Sequence, residues 1–315
     1  MIRLLAKIGG AVWLSLGVAP YLCNGQGLSP RAYVITPVHT NAVTLTYSLQ
    51  DGNIVFGDAL PVENSHGRVG TEIVTCFHTL DFFGRSANVN VSLPYSVGHF
   101  EGEVSGVEQK LYRSGLAPMV ARFSVNLMGA PAMTMDEFAQ WRQKTLIGVS
   151  LTVSTMTGQY DPARLINIGA NRWAFKPEVG LSRRWGKWIL DAYGAVWLFT
   201  ANDDFFANAP GTVGANRQTQ NRMEAVEVHL SYDVKPRMWF SIDGNYWHGG
   251  ETSLNGVATP TTLQANSRLG ATAAIPIGKH QSLKFSYSGG TYIQFGGDYQ
   301  DVSAAWQYSW LGRPN

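Results

Sequence analysis

The stretch DVSAAWQYSW, residues 301–310, decides the fold. Val302, Ala304, Trp306, Tyr308 and Trp310 fall on one side of an extended chain. Ser303, Ala305, Gln307 and Ser309 fall on the other. Successive side chains of a strand point to opposite faces, so this is a period of two with a greasy face and a small, polar face. The pattern recurs upstream. Leu283, Phe285 and Tyr287 oppose Lys284, Ser286 and Ser288, and Phe240, Ile242 and Tyr246 oppose Ser241, Asp243 and Asn245. Val89, Val91, Leu93 and Tyr95 oppose Asn88, Asn90 and Ser92, and Val43, Leu45, Tyr47 and Leu49 oppose Thr44, Thr46, Ser48 and Gln50.

Extended along the chain, the pattern predicts twelve strands over 41–51, 68–82, 86–100, 115–128, 145–157, 173–184, 187–201, 221–234, 238–249, 263–275, 281–293 and 301–310. One short helix is expected from Met135 to Gln143, after the breaker Gly129-Ala130-Pro131. The connectors alternate in length. Those at 83–85, 185–186, 235–237 and 276–280 are tight. Those at 52–67, 101–114, 158–172, 202–220, 250–262 and 294–300 are mostly long and rich in Gly, Asn, Asp and Pro. An even number of antiparallel strands with short turns at one end and long loops at the other is the plan of an outer-membrane barrel. The expected fold is therefore an all-β transmembrane antiparallel barrel of about twelve strands, with short periplasmic turns and long extracellular loops. Phe82, Phe83, Trp185, Trp188, Trp239 and Trp310 sit at the periplasmic strand ends, where an aromatic girdle belongs.

Composition agrees. Charged residues make up only 15% of the chain, yet mean hydropathy is −0.08, so apolar and polar residues are interleaved rather than segregated. The first residues read as a signal peptide over 1–25: Arg3 and Lys7 precede an apolar run from Ile8 to Leu22 that is broken by Pro20 and too short to span a bilayer as a helix. A lipid anchor at Cys23 has a poor recognition sequence in Pro20-Tyr21-Leu22. Residues 26–40 are expected as an N-terminal periplasmic or lumenal segment, 41–310 as the barrel and 311–315 as a tail. Loss of 1–25 removes the two charges that make the formal net charge +2, and a neutral chain argues against nucleic acid as a partner. Cys76 is then a single cysteine with no disulfide partner, read as a small strand residue.

Residues 157–182, TGQYDPARLINIGANRWAFKPEVGLS, resemble the MetA-pathway of phenol degradation family, whose members are described as outer-membrane transporters. The likeness continues in 129–145, 188–206, 230–250, 266–290 and 305–310. The resemblance implies a barrel, an address in the bacterial outer membrane, and a family motif carried here by Tyr160, Asp161, Asn167, Asn171, Arg172, Trp173, Phe175, Pro177 and Glu178. Partners implied are the lipid bilayer, the barrel-assembly machinery and a small-molecule solute. Trp306, Tyr308 and Trp310 keep the terminal aromatic alternation of such barrels, although Leu311 to Asn315 follow it.

The lumen is the face opposite the greasy one. It is expected to display Glu72, Arg122, Lys176, Glu178, Asp191, Glu227, Asp243, Arg268 and Lys284, nearly balanced in sign. A ring of one sign would mark an ion-selective pore; balance points to lumen-filling pairs or to a wall for neutral polar or aromatic solutes. Trp173 is read as a girdle residue beside the turn former Asn171 more than as a solute frame with Arg172, and Asp203-Asp204 as solvated acids more than a cation site. No zinc-ligand spacing, nucleophile elbow or phosphate loop is present, and no cofactor is expected. An outer-membrane phospholipase needs Ser and His together on the lipid face, whereas His78 and His229 are expected to point inward. Three functions follow in order: a channel or transporter for small, aromatic or hydrophobic solutes; a closed structural barrel working through its outer loops; and a phospholipase-type enzyme.

Overall fold

The computed structural model describes residues 28–55, 62–104, 106–164, 166–205 and 216–312. The expected signal peptide and the last three residues lie outside them. In chain order the strands are β1 (Thr40–Val55), β2 (Val62–Phe82), β3 (Arg85–Val104), β4 (Val107–Leu116), β5 (Val120–Met128), β6 (Thr145–Ser154), β7 (Ala174–Trp185), β8 (Trp188–Phe199), β9 (Gln218–Gln220), β10 (Met223–Lys235), β11 (Met238–Gly249), β12 (Thr252–Leu254), β13 (Val257–Thr259), β14 (Gln264–Pro276), β15 (Gln281–Tyr292) and β16 (Gly296–Leu311). One helix, α1 (Met135–Gln140), lies between β5 and β6.

Each wall strand pairs antiparallel with its neighbour. The sheet closes where β1 meets β16, in register from Thr40↔Leu311 to Val55↔Gly296. β4 and β5 both pair with β3 and are two halves of one wall strand broken around Pro118, so the closed barrel has twelve strands. Closure leaves no strand edge to face lipid, where an unpaired N–H or C=O would go unsatisfied. β9, β12 and β13 form a small separate sheet over the outer mouth.

The greasy faces point outward. Ile242 is 65% exposed and Val179, Leu269 and Val302 are each more than half exposed, values that only lipid contact makes reasonable. The turn from β2 to β3 is one that a right-handed twist favours. Phe83 and Gly84, alone between β2 and β3, both have positive φ (52° and 77°), a primed hairpin turn.

Five expectations are corrected. Glu72 faces outward: its register partners Tyr47 and Tyr95 are lipid-face tyrosines, and the inward residues of β2 are Thr71, Ile73 and Thr75. The charge suggested a lumen position, but parity with Val74 and Cys76 overrides it. His78 also faces outward, bonded to Asn41 at 2.8 Å; its outward neighbours are Val43, Cys76 and Val89, so among the described residues no serine stands beside it. Trp239 is not a girdle residue. It alternates with Phe240 and lies inside the barrel under the guanidinium of Arg31, 4.3 Å from the ring centre. The helix ends at Gln140 rather than Gln143. Its capping box is complete, with the Thr134 N–H and hydroxyl both donating to Glu137 (2.8 and 2.9 Å). Finally, the supposed outer loops 101–114 and 294–300 are largely strand, in β3–β4 and β16. Above the bilayer the ladder continues without lipid to select a greasy face, so the alternation fades while the pairing does not.

Candidate functional site

The lumen is not empty of chain. Before β1 begins at the periplasmic end, residues 28–39 run inside the barrel as a strap. Tyr33 is 2% exposed and its hydroxyl donates to Glu178 (3.0 Å) and meets Ser150 (3.2 Å). Its ring lies against Gly148 and Gly180, cross-strand partners on β6 and β7. A Cβ on either would come within 2.3 or 2.1 Å of the ring, so only glycine admits the strap there. The Ala32 N–H donates to the Tyr193 hydroxyl (3.0 Å), and its carbonyl accepts from Arg122 (3.2 Å). Arg31 pairs with Asp233 (2.7 Å), which also holds Arg184 (2.7 Å). Ile35 packs with Ala130, Met133 and Leu146 over the periplasmic mouth, where Phe138 of α1 closes the cluster.

Eight of the nine expected lumen charges, all but Glu72, are on the inner wall. Five of them, with His229, form one continuous ladder across β5, β7, β10 and β11. Arg122 meets Glu178 at 3.3 Å, Lys176 bridges Glu178 and Glu227 at 3.0 Å each, and His229 lies between Glu227 (3.5 Å) and Asp243 (2.9 Å). Thr272 donates to the second oxygen of Asp243 at 2.8 Å. These groups are nearly all buried, so each charge depends on its neighbour for the solvation that water no longer supplies. Asp191 is buried near the same ladder on β8. Arg268 donates to the Tyr299 carbonyl (2.8 Å) and lies over the Tyr299 ring.

The opposite wall differs. Thr46, Ser48, Thr75, Asn90, Ser92 and Ser303 present small neutral groups. Between this wall, the ladder and the strap lies a cavity of about 450 Å3, into which Lys284 and Asp301 also project. Above it, on the ladder side, Trp197, Met223 and Trp247 pack inside the barrel, with the Trp247 indole donating to Gln264 (2.9 Å).

The family-motif residues build the outer rim. Asn167 locks its own loop through Asp161 (2.9 and 3.1 Å) and Arg164, and Asp161 pairs with Arg164 at 2.8 Å. Tyr160 and Asn171 both bond Asn202 across the mouth (3.0 and 2.9 Å), the latter from a left-handed turn (φ 50°). Arg172 is buried, bonded to Gln220 and over the Phe199 ring. Trp173 and Phe175 stack with nearly parallel rings. The β7–β8 ladder is interrupted at Lys176–Pro177, where Pro177 has no N–H to give. Glu178 alone of the motif joins the lumen. Asp203 pairs with Arg217 at 3.2 Å.

Alternation could not reveal the strap residues Arg31 and Tyr33, because the strap is not a strand. The signal that was available is the facing pair Gly148 and Gly180 at inward positions, which marks something seated tightly on the wall. Asp301 opens the expected last strand and shares the inward parity of Ser303, so alternation places it in the lumen although it was not among the expected lumen residues.

A family model described as "Putative MetA-pathway of phenol degradation" matches residues 55–299. Among solved structures, an outer membrane channel from Pseudomonas putida F1 is similar with a TM-score of 0.72 at 15% identity, covering 90% of this chain and 100% of that one. The transport unit of the autotransporter AIDA-I from Escherichia coli is similar with a TM-score of 0.51 at 9% identity, covering 95% and 98%. At such identities the likeness concerns the fold. No curated protein matches by sequence.

Proposed function

The chain belongs to the phenol-degradation MetA-pathway family and is an outer-membrane β-barrel, and from that premise we propose that it is a channel for small aromatic or apolar solutes whose route runs along the neutral wall of the lumen. The mid-barrel cavity carries this reading. A barrel built only as a scaffold has no need of about 450 Å3 of space beside its strap, with hydroxyls on one side and Ile73, Val120 and Pro30 among its apolar lining. The strap narrows the lumen on the ladder side and leaves the cavity on the other.

A second reading, a closed structural barrel, draws support from the buried ladder and the packed Trp197–Met223–Trp247 cluster. Planar-bilayer recording separates the two. Conductance steps from the full chain, enlarged when residues 28–36 are deleted, support the channel. Silence from both proteins, with the barrel folded by heat-modifiable gel shift, supports the closed barrel. The phospholipase reading finds no Ser–His pair at His78; absence of fatty-acid release from phospholipid in detergent is the expected outcome.

A further inference from the structure

Lys284 stands apart from the other lumen cations. Arg122, Lys176 and His229 share the acids of the ladder, Arg31 and Arg184 share Asp233, and Arg268 is spent on carbonyls and the Tyr299 ring. Among the described residues Lys284 has neither an ion pair nor a hydrogen-bond partner. Its cross-strand neighbours on the inner face are Ala274 and Ala305, which carry no polar side-chain group. The two acids on this side are already engaged: Asp243 by His229 and Thr272, and Asp301 by Ser48 (3.1 Å to both oxygens) and Gln50 (3.0 Å). Yet Lys284 is exposed while pointing inside the barrel, because it opens onto the cavity.

An ammonium offers three donors and one full charge, and inside a wall it is left for whatever enters. The residues next along its face are Ser286 and, through the paired strand, Ser303; both line the cavity and both can donate or accept. The same cavity is lined by the apolar atoms of Ile73, Val120 and Pro30, set among the hydroxyls of Thr46, Thr75 and Ser92. A cation beside hydroxyls, in a cavity that also offers apolar surface and, among the described residues, no second free charge of its own, matches an anionic group on a small apolar body.

We propose that the mid-lumen cavity binds a small organic carboxylate bearing an aromatic or apolar group, with Lys284 as its counter-ion and Ser286 and Ser303 as supporting hydroxyls. This rests on the channel reading, since it names the solute class for the same cavity. The carboxylate sets its charge against an ammonium that has no protein partner, and the ladder is left undisturbed.

The test is equilibrium binding to the purified full chain in detergent, by calorimetry or ligand-observed NMR, with three probes on one ring: benzoate, benzyl alcohol and benzylamine. Benzoate is expected to bind saturably and at least tenfold more tightly than benzyl alcohol, with benzylamine weakest. Lys284→Gln is expected to remove that preference and Lys284→Arg to keep it. Ser303→Asp, which supplies an internal carboxylate beside the ammonium, is expected to weaken benzoate as Lys284→Gln does. Equal binding of benzoate and benzyl alcohol, preference for benzylamine, or full benzoate affinity in Lys284→Gln overturns the proposal. The ranking on wild-type protein needs no variant to fold. Because binding is read without current, its failure is distinct from failure of the channel, which the bilayer recording reads without ligand.

Discussion

The Tyr33 hydroxyl donates to the Glu178 carboxylate at 3.0 Å, tying the strap to a wall strand 145 positions later in the chain. Glu178 is also the acid that Arg122 and Lys176 share. One carboxylate therefore holds both the strap and the ladder. Removing only the phenol hydroxyl, Tyr33→Phe, leaves Glu178 with its two cations. The expected cost is about 1.5–3 kcal/mol of strap docking, the range for a hydrogen bond to a charged group, with the barrel unchanged by gel shift. Faster amide exchange at Ala32 and Tyr33 is the readout; exchange equal to wild type would mean the bond does not hold the strap.

Gly180→Val should expel the strap outright. Its Cβ alone would meet the Tyr33 ring at 2.1 Å, and the ring cannot retreat because Gly148 presents the same limit from the next strand. Trypsin should then cleave after Arg31, a bond protected in the wild-type barrel. Equal resistance in both proteins would show that the strap has another seat.

Lys176 is the shared cation of two buried acids. Lys176→Met should cost about 3–5 kcal/mol, the penalty for breaking a buried ion pair and stranding its partner. Lys176→Met combined with Glu227→Gln should recover part of this loss, since His229 retains Asp243. Urea midpoints of the barrel in detergent measure both. A double variant less stable than the sum of the singles would mean the ladder is not a pairwise chain.

The lipid register can be tested at two positions. Ile242→Arg places a charge on an outward position in the middle of β11 and should cost about 2–4 kcal/mol near the midplane. Thr46→Arg points into the cavity and should be tolerated. Cys76, also outward, should react with a bilayer-soluble maleimide in liposomes and not with a charged, impermeant one. The opposite labelling would reverse the face of β2, and with it the position of Glu72.

The N-terminal cap of α1 gives a pH dependence outside the bilayer. The backbone N–H of Thr134, followed by its hydroxyl, holds the Glu137 carboxyl below its usual range. A carboxyl whose folded pKa is depressed adds stability above its unfolded value, near pH 4.3, and loses it as pH falls through the folded value. Protection of the Phe138 and Trp141 amides should therefore drop on acidification below about pH 4, and Glu137→Gln should show no such drop. Thr134→Ala should cost about 0.5–2 kcal/mol of helix stability at neutral pH. Protection that is flat with pH in the wild type would dispose of the cap.

Much of this was legible because lipid imposes a rule on every second residue. The lower boundaries of most wall strands, the tight turns and the lumen placement of Lys176, Glu178 and Glu227 all follow from parity. Parity fails where lipid is absent, as in the upper half of β3 and β4, and where a charge tempts the reader to break it, as at Glu72. Trp239 shows the converse error, an aromatic at the right height but on the wrong face. The strap was beyond reach in another way. Its contacts with Glu178, Tyr193 and Asp233 join residues far apart in sequence, and nothing periodic announces them.

The strap also allows a particular order of events in biogenesis. Its clasps, Arg122, Glu178, Tyr193 and Asp233, all precede β16 in the chain, and the barrel is sealed only when β16 zips onto β1. The strap can thus settle onto the concave side of a still-open sheet, and the seam then encloses it. Anything fused ahead of Leu28 leads off from the interior, so a compact N-terminal tag would be caught in the closing ring, whereas the C-terminal end of β16 lies outside it.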